Sequence, residues 1–385
     1  MQRIGILTFH RSINYGAFMQ AYALQKEIFK RTQIVPDIID FEYLFKNIEN
    51  KSQLNNPLIK REYALQYKRF RSDLSLLKLS DKKFVTNTEH ELRDYIEKNY
   101  DIVIVGSDAV WAFQKMKINN PYWLFGETLN CIKMSYAASA HSTDFKKVTE
   151  ADKNYISNCL KSFSYIGVRD QMTYDFISTL VQNNQIVHRN CDPTILLDPG
   201  NRDIAENVLK RFNVKRTKPL STYMIAGNDY VTDIISQTKE FTSISLYKRN
   251  RLKDKFFRIN RAKMLYDISP FEWYNMYSIS DFNVSNYFHG TIGGLISLAP
   301  TIAFDNTSFN SPYIGKIQQV MMDLDLMDFY FHYPTMNVDD QLRLKKKIKE
   351  IKENKSEIKD RISNGLINEK LRADSFFVHL AKLLE

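Results

Sequence analysis

Ile4-Gly5-Ile6-Leu7-Thr8-Phe9, the polar turn His10-Arg11-Ser12-Ile13-Asn14-Tyr15-Gly16 and the later run Ile38-Ile39-Asp40-Phe41 decide the fold. The first stretch is a short apolar strand. From Ala17 the apolar positions Phe18, Ala21, Tyr22, Leu24, Ile28 and Phe29 recur at near-helical spacing, which predicts a helix. The run at 38–41 is a second strand. Apolar strands joined by a helix point to an α/β fold, a parallel sheet with helices on its faces.

The same alternation continues outward. Residues 101–105, ending in Gly106-Ser107-Asp108, residues 134–138 and residues 165–169 have strand character. Ile195-Leu196-Leu197, before the strong turn Asp198-Pro199-Gly200, closes a first domain. The pattern restarts after residue 218, with strands expected at 223–227, 244–247, 281–284 and 301–304 and helices at 271–279 and after Gly290. Residues 345–359 and 371–384 are amphipathic and helical. The expected organisation is an α/β domain over 1–205 with a helical, basic insertion at about 45–98, a second α/β domain over 206–335, and a helical tail over 336–385. Two domains also suit 385 residues at roughly 150 per domain. A cleft between two such domains is the expected ligand site.

Composition narrows the function classes. At 44% hydrophobic and 25% charged residues the chain is globular, not disordered or fibrous. The apolar run 293–304 is interrupted by Ser297, Pro300 and Thr301 and falls short of the ~20 residues of a membrane span. The N-terminus carries no small-residue cleavage site and is expected as a strand, not a secretory signal. Cys131, Cys159 and Cys191 have neither disulfide nor zinc spacing, which suits a reducing cytoplasm. The net charge is +10. It is concentrated at 248–263, with eight basic residues against Asp254 alone, and at 46–83, with ten basic against four acidic. Such runs are solvated faces or attract phosphorylated substrates and anionic head groups.

Function in open α/β sheets sits at the carboxyl ends of strands, which selects five places. The turn 10–16 leads into a helix N-terminus suited to anions, or is an ordinary connection shaped by Asn14 and Gly16. Ser107 and Asp108 close a strand and either cap the next helix or orient a sugar hydroxyl or a cation. Arg169 comes directly after another strand; it can grip a carboxylate or phosphate bidentately or pair with Asp170 or another acid. Asp192 precedes Pro193 in a turn. His289, with Gly290 and Thr291 next to it at a helix start, is the strongest candidate, since histidine transfers protons near neutral pH and glycine lets a backbone approach a ligand. No Gly-x-Gly-x-x-Gly loop, P-loop, Gly-x-Ser-x-Gly elbow or His-Glu-x-x-His stretch is present.

Several of these segments, in order, resemble the polysaccharide pyruvyl transferase family. They are Gly5-Ile6-Leu7-Thr8-Phe9-His10 with Asn14-Tyr15-Gly16-Ala17, Val105-Gly106-Ser107-Asp108 with Val110-Trp111, Ser135-Tyr136-Ala137-Ala138-Ser139, Val168-Arg169-Asp170, Asp192-Pro193-Thr194 and Phe288-His289-Gly290-Thr291. The chain departs from the family pattern at Ala109, Asp170 and Tyr287, where Gln, Glu and Ser are frequent. The resemblance implies two Rossmann-like domains in a glycosyltransferase-B-like arrangement. It also implies transfer of the enolpyruvyl carbons of phosphoenolpyruvate to a sugar as a cyclic ketal, with release of phosphate. On this reading His289 and Asp108 are catalytic, and Arg169, Asn14, Tyr15, Gly290, Thr291, Ser107 and His10 bind substrate. No metal or resident cofactor is expected, since phosphoenolpyruvate is the donor substrate. The expected acceptor is a sugar of a surface polysaccharide or of its lipid-linked precursor, with peripheral contact to the anionic inner face of the cell membrane and no nucleic acid. The alternatives are a glycosyltransferase using a nucleotide sugar and a non-catalytic anion- or nucleic-acid-binding protein.

Overall fold

A computed structural model describes residues 2–42, 60–85, 89–112, 120–126, 129–140, 143–181, 185–225, 234, 238–246, 262–305 and 314–385. The chain divides into two compact units. Unit 1 comprises Met1–Asn50, Leu74–Leu196 and Lys370–Glu385, and unit 2 comprises Lys51–Asp73 and Leu197–Glu369.

Unit 1 contains β1 (Ile4–Leu7), β2 (Asp37–Ile38), β3 (Phe41–Glu42), β4 (Phe84–Val85), β5 (Ile102–Val105), β6 (Ile132–Ala138), β7 (Phe163–Val168) and β8 (Val187–Arg189). Its main sheet is parallel, in the order β2-β1-β5-β6-β7-β8, while β3 and β4 pair separately. β1 and β5 are buried at every position, as strands covered by helices on both faces must be. The helix Tyr15–Thr32 starts at Asn14, whose side chain accepts from the Gly16 and Ala17 amides, and ends with Lys30 and Arg31 in its last turn. Both ends obey the capping and dipole rules. Leaving β1, the chain builds β2 on one side, then returns to place β5 on the other. The topological switch point of unit 1 therefore lies between β1 and β5.

Unit 2 repeats the plan with β9 (Leu220–Met224), β10 (Thr242–Ser245), β11 (Lys263–Met264), β12 (Phe282–Ser285), β13 (Thr301–Asp305) and β14 (Tyr330–His332). The order is β11-β10-β9-β12-β13-β14, all parallel. Its switch point lies between β9 and β12 by the same logic.

The insertion and the tail are shared between the units. The helix Lys60–Asp73 belongs to unit 2, where Arg69 grips Asp267 through two bonds of 2.9 and 3.2 Å and Asp73 accepts the Phe271 amide at 2.8 Å. The expected single helix at 345–359 is two, Val338–Glu353 and Lys355–Leu371, separated at Asn354. Both pack on unit 2. The last helix, Asp374–Leu384, packs on unit 1 instead, burying Phe376, Phe377 and Leu380, with Phe376 edge-on to Tyr136 and Tyr165 and Arg31 over Phe377. The basic run 248–263 lies outside the described residues except for its last two positions, and so do 46–59 of the other run.

Two carboxylates fasten the C-terminal helices to unit 2. Asp281 accepts from Leu220 N–H, Arg216 and Lys355, and Asp328 from Lys347 and Arg361. Burial pushes both carboxyls up, but these cations and donors outweigh it and hold both below the ordinary range. A lowered folded value gives stability that is present above the unfolded value and lost as pH falls through the folded one. Thermal melts should therefore drop steeply below about pH 4. Asp328→Asn should lower the melting temperature at neutral pH and flatten that acid loss.

Candidate functional site

In unit 1 the carboxyl ends of β1, β5, β6 and β7 bring together segments far apart in the chain. β5 runs into Gly106, with φ +109, where a Cβ would lie 2.3 Å from the Tyr136 carbonyl oxygen. Only glycine fits there. Asp108 comes next but one, at φ +78, a conformation that costs a non-glycine residue about 1–2 kcal/mol and concentrates at functional sites. Its carbonyl accepts from Ser139 N–H and its carboxylate from Ala109 N–H at 2.8 Å, so loop and side chain are both fixed.

Arg169, directly after β7, points into this corner. Its Nη1 donates to Asp192 Oδ2 at 3.0 Å, and its Nη2 lies 3.8 Å from Asp108 Oδ1. Side-chain exposure is 5% for Arg169, 1% for Asp192 and 14% for Asp108, so Asp108 is the member of this set that meets solvent. Asp170 is next in the chain and is buried. It caps the helix Gln171–Ser178, accepts from Thr173 N–H and hydroxyl, and accepts Ser139 Oγ at 2.6 Å. Burial disfavours the Arg169 cation, but the charges of Asp192, Asp108 and Asp170 overcome it and hold its pKa above the ordinary value. Burial likewise pushes the Asp170 carboxyl up, and Arg169, Ser139 and Thr173 bring it below the usual range.

One guanidinium thus serves three carboxylates. The ion pair weighed as the alternative for Arg169 is present, with Asp192. An enclosed arginine already surrounded by negative charge is poorly placed to hold a phosphate, whereas an exposed carboxylate edge beside it suits sugar hydroxyls.

The other unit 1 candidates lie near β1. Asn14 is exposed and spends its carbonyl oxygen on the helix cap, and Tyr15 is buried. His10 and Ser107, expected on the substrate, are fully enclosed. The His10 ring meets the Thr8 carbonyl through Nδ1 and the Asp40 carboxylate through Nε2, each at 3.1 Å. Ser107 donates to Gln20 Oε1, while Gln20 Nε2 donates to Thr8 Oγ1 and the Phe9 carbonyl. These side chains lock the turn after β1 to the end of β5. Asp40, which sequence reading did not select, binds both His10 and Arg11. Burial raises its carboxyl, but those bonds carry it down to about 2. Its partners stand about thirty positions upstream, so no local pattern could reveal the cluster.

In unit 2, His289 sits on the first turn of the helix Phe288–Ile296, at the switch point beside β9 and β12. That helix has no side-chain cap and no acidic residue in its first turn, which leaves its N-terminal dipole to an anion. Asn283 on β12 donates to the Gly290 carbonyl at 3.1 Å, and Thr222 on β9 holds Asn283 Oδ1. A Cβ at Gly290 would lie 2.5 Å from Ser285 Oγ and 2.7 Å from Met224, so glycine allows the helix to start against both strands. Thr291 is buried and donates to the Tyr287 carbonyl. His289 is half-buried with its ring edge-on to Phe288, and Tyr287 is exposed. Among the described residues no cluster of His, Cys, Asp and Glu suits a metal ion, and no helix is long and apolar enough to cross a membrane.

Comparison with solved structures supports the architecture. The chain is similar to a glycosyltransferase from Rickettsia africae (12% identity, 99% of each chain covered, TM-score 0.56). It is also similar to a UDP-GlcNAc 2-epimerase from Neisseria meningitidis bound to UDP-GlcNAc (10% identity, 99% of this chain and 100% of that one, TM-score 0.56). At such identities the likeness shows the fold alone, two Rossmann-like parallel sheets of glycosyltransferase-B type. No curated protein matches the sequence. A family model does: polysaccharide pyruvyl transferase, over residues 14–308, a span that takes in the Asp108 corner, Arg169, Asp192 and the His289 turn. The chain is a member of the polysaccharide pyruvyl transferase family.

Proposed function

We propose that this enzyme transfers the enolpyruvyl carbons of phosphoenolpyruvate to two hydroxyls of a sugar in a surface polysaccharide or its lipid-linked precursor. In balance, the methylene carbon takes one proton, the two sugar oxygens bond to C2, and the phosphate ester bond breaks. One hydroxyl proton accounts for the new methyl hydrogen and the other leaves with inorganic phosphate. The observation supporting this reading is that, in a chain of this family, Asp108 and His289 follow β5 and β12 at the carboxyl ends of the two sheets, the edge at which α/β sheets bind ligands.

The roles derive from the chemistry of each corner. Asp108, the exposed edge of an acidic cluster, accepts a proton from an acceptor hydroxyl. Ala109 N–H holds that carboxylate in place, and the Arg169 guanidinium stands beside it with the opposite charge. The uncapped helix start at Phe288 receives an anionic end of the donor, and His289 supplies the proton to the methylene carbon. The net charge of +10 suits an acceptor carried on a phosphate-bearing lipid at an anionic surface.

Incubation with phosphoenolpyruvate and candidate lipid-linked sugars should release phosphate and add a ketal, with one deuteron in its methyl group when the reaction runs in D2O. Phosphoenolpyruvate should also raise the melting temperature by mass action. Stabilisation by nucleotide sugars instead would favour the glycosyltransferase reading. His289→Gln should keep the wild-type melt and lose about 10²–10⁴-fold in kcat, the usual contribution of a general acid; full activity would remove His289 from the mechanism.

A further inference from the structure

We propose that Asp192 is a positioning residue for Asp108, acting through the two arms of Arg169. The inference rests on the reading of Asp108 as the base and goes beyond it by naming what sets that base's strength.

Asp192 is the sealed end of the arrangement. Its Oδ1 accepts the Thr194 amide at 3.0 Å and the Thr194 hydroxyl at 2.6 Å, at the start of the 3-10 turn Pro193–Leu196. The carboxylate therefore has one orientation, with Oδ2 on Arg169 Nη1. A guanidinium is rigid and planar, so fixing one arm aims the other, and the other arm is the one beside Asp108. The same cation thus divides its charge between a carboxylate shut away from water and one that meets it. Two further titratable groups among the described residues stand near the pair. Asp170 is held by Ser139 and Thr173, and Tyr136, in contact with Cys191 Sγ at 3.6 Å, is kept protonated by burial.

Neutralising Asp192 has two effects of the same sign. It removes a like charge from the surroundings of Asp108, and it frees Arg169 to attract Asp108 more strongly. Each favours the Asp108 anion, so the base becomes weaker and titrates lower.

Asp192→Asn keeps the shape and the acceptor oxygen for Thr194. It should move the acid limb of the kcat/KM profile down by about one pH unit and lower kcat about three- to tenfold through the weaker base, with KM for phosphoenolpyruvate unchanged. Thr194→Val removes the hydroxyl donor, leaves the Asp192 charge less quenched, and should move the limb up by a few tenths of a pH unit. A merely structural Asp192 would change the melting temperature and leave the limb where it is. Folded Asp192→Asn protein with an unmoved or raised limb overturns the proposal. If Asp192→Asn does not fold, the sign of the Thr194→Val shift decides, and an unmoved or lowered limb there overturns it. Failure of the underlying reading is separate: full activity in Asp108→Asn removes the base itself, whatever Asp192 does.

Discussion

Arg169→Ala is expected to destabilise unit 1 by about 3–5 kcal/mol, the cost of removing one partner from a buried ion pair. For a domain of this size that is a fall of roughly 10 °C in melting temperature. The cause is the set of carboxylates left behind. Asp192 and Asp170 are buried and Asp108 is partly exposed, and among the described residues Arg169 is the cation paired with them. If Arg169 were chiefly a receptor for the donor, its loss would raise KM and leave the melt alone. The pH dependence separates the two cases. Without Arg169, only the Ser139 and Thr173 bonds oppose the burial of Asp170, and its folded pKa rises. That contribution is harmless below the unfolded pKa and destabilising as pH rises through the folded one, so the melting deficit should be smaller at pH 5 than at pH 8. Arg169→Met combined with Asp192→Asn should recover part of the loss, because neighbouring changes in one ion-pair network are not additive. A melt indistinguishable from wild type would show that the cluster does not depend on its cation.

Asp108→Asn is expected to cost about 10²–10⁴-fold in kcat/KM, the usual share of a general base, with the melting temperature kept or raised. The fold should hold because asparagine tolerates positive φ, which Asp108 adopts, and because one of three clustered negative charges disappears. Asp108→Ala is a poorer test, since it adds the strain of a left-handed alanine to the loss of the carboxylate. Steady-state kinetics with phosphoenolpyruvate, together with the melt, reads both effects at once. Activity within tenfold of wild type would assign proton removal to another group.

Much of the framework was legible in the residues themselves. Four-residue apolar runs at 4–7 and 102–105 are strands because a parallel sheet buried on both faces tolerates little else. Asp108, Arg169 and His289 stood out because they come just after such runs. Other features were not legible for specific reasons. β8 and β14 are three-residue strands too short to show a period. The break at Asn354 interrupts a Lys- and Glu-rich run whose composition is helical on both sides. His10 and Ser107 carry polar groups that look available along the chain, yet each finds its partner inside the fold, His10 at Asp40 and Ser107 at Gln20.

The sequence by itself determined the α/β class, the two-part plan and the family, since all of these depend on local hydrophobic pattern and short motifs. Tertiary structure alone decided that the chain crosses between β1 and β5 and between β9 and β12. It alone also decided that Arg169 is enclosed by carboxylates and that Asp108 is the one left open to solvent. The reason is that desolvation and charge act through space. Asp108, Arg169 and Asp192 are separated by sixty-one and twenty-three positions in the chain, and only the parallel packing of β5, β6 and β7 brings them within a few ångströms.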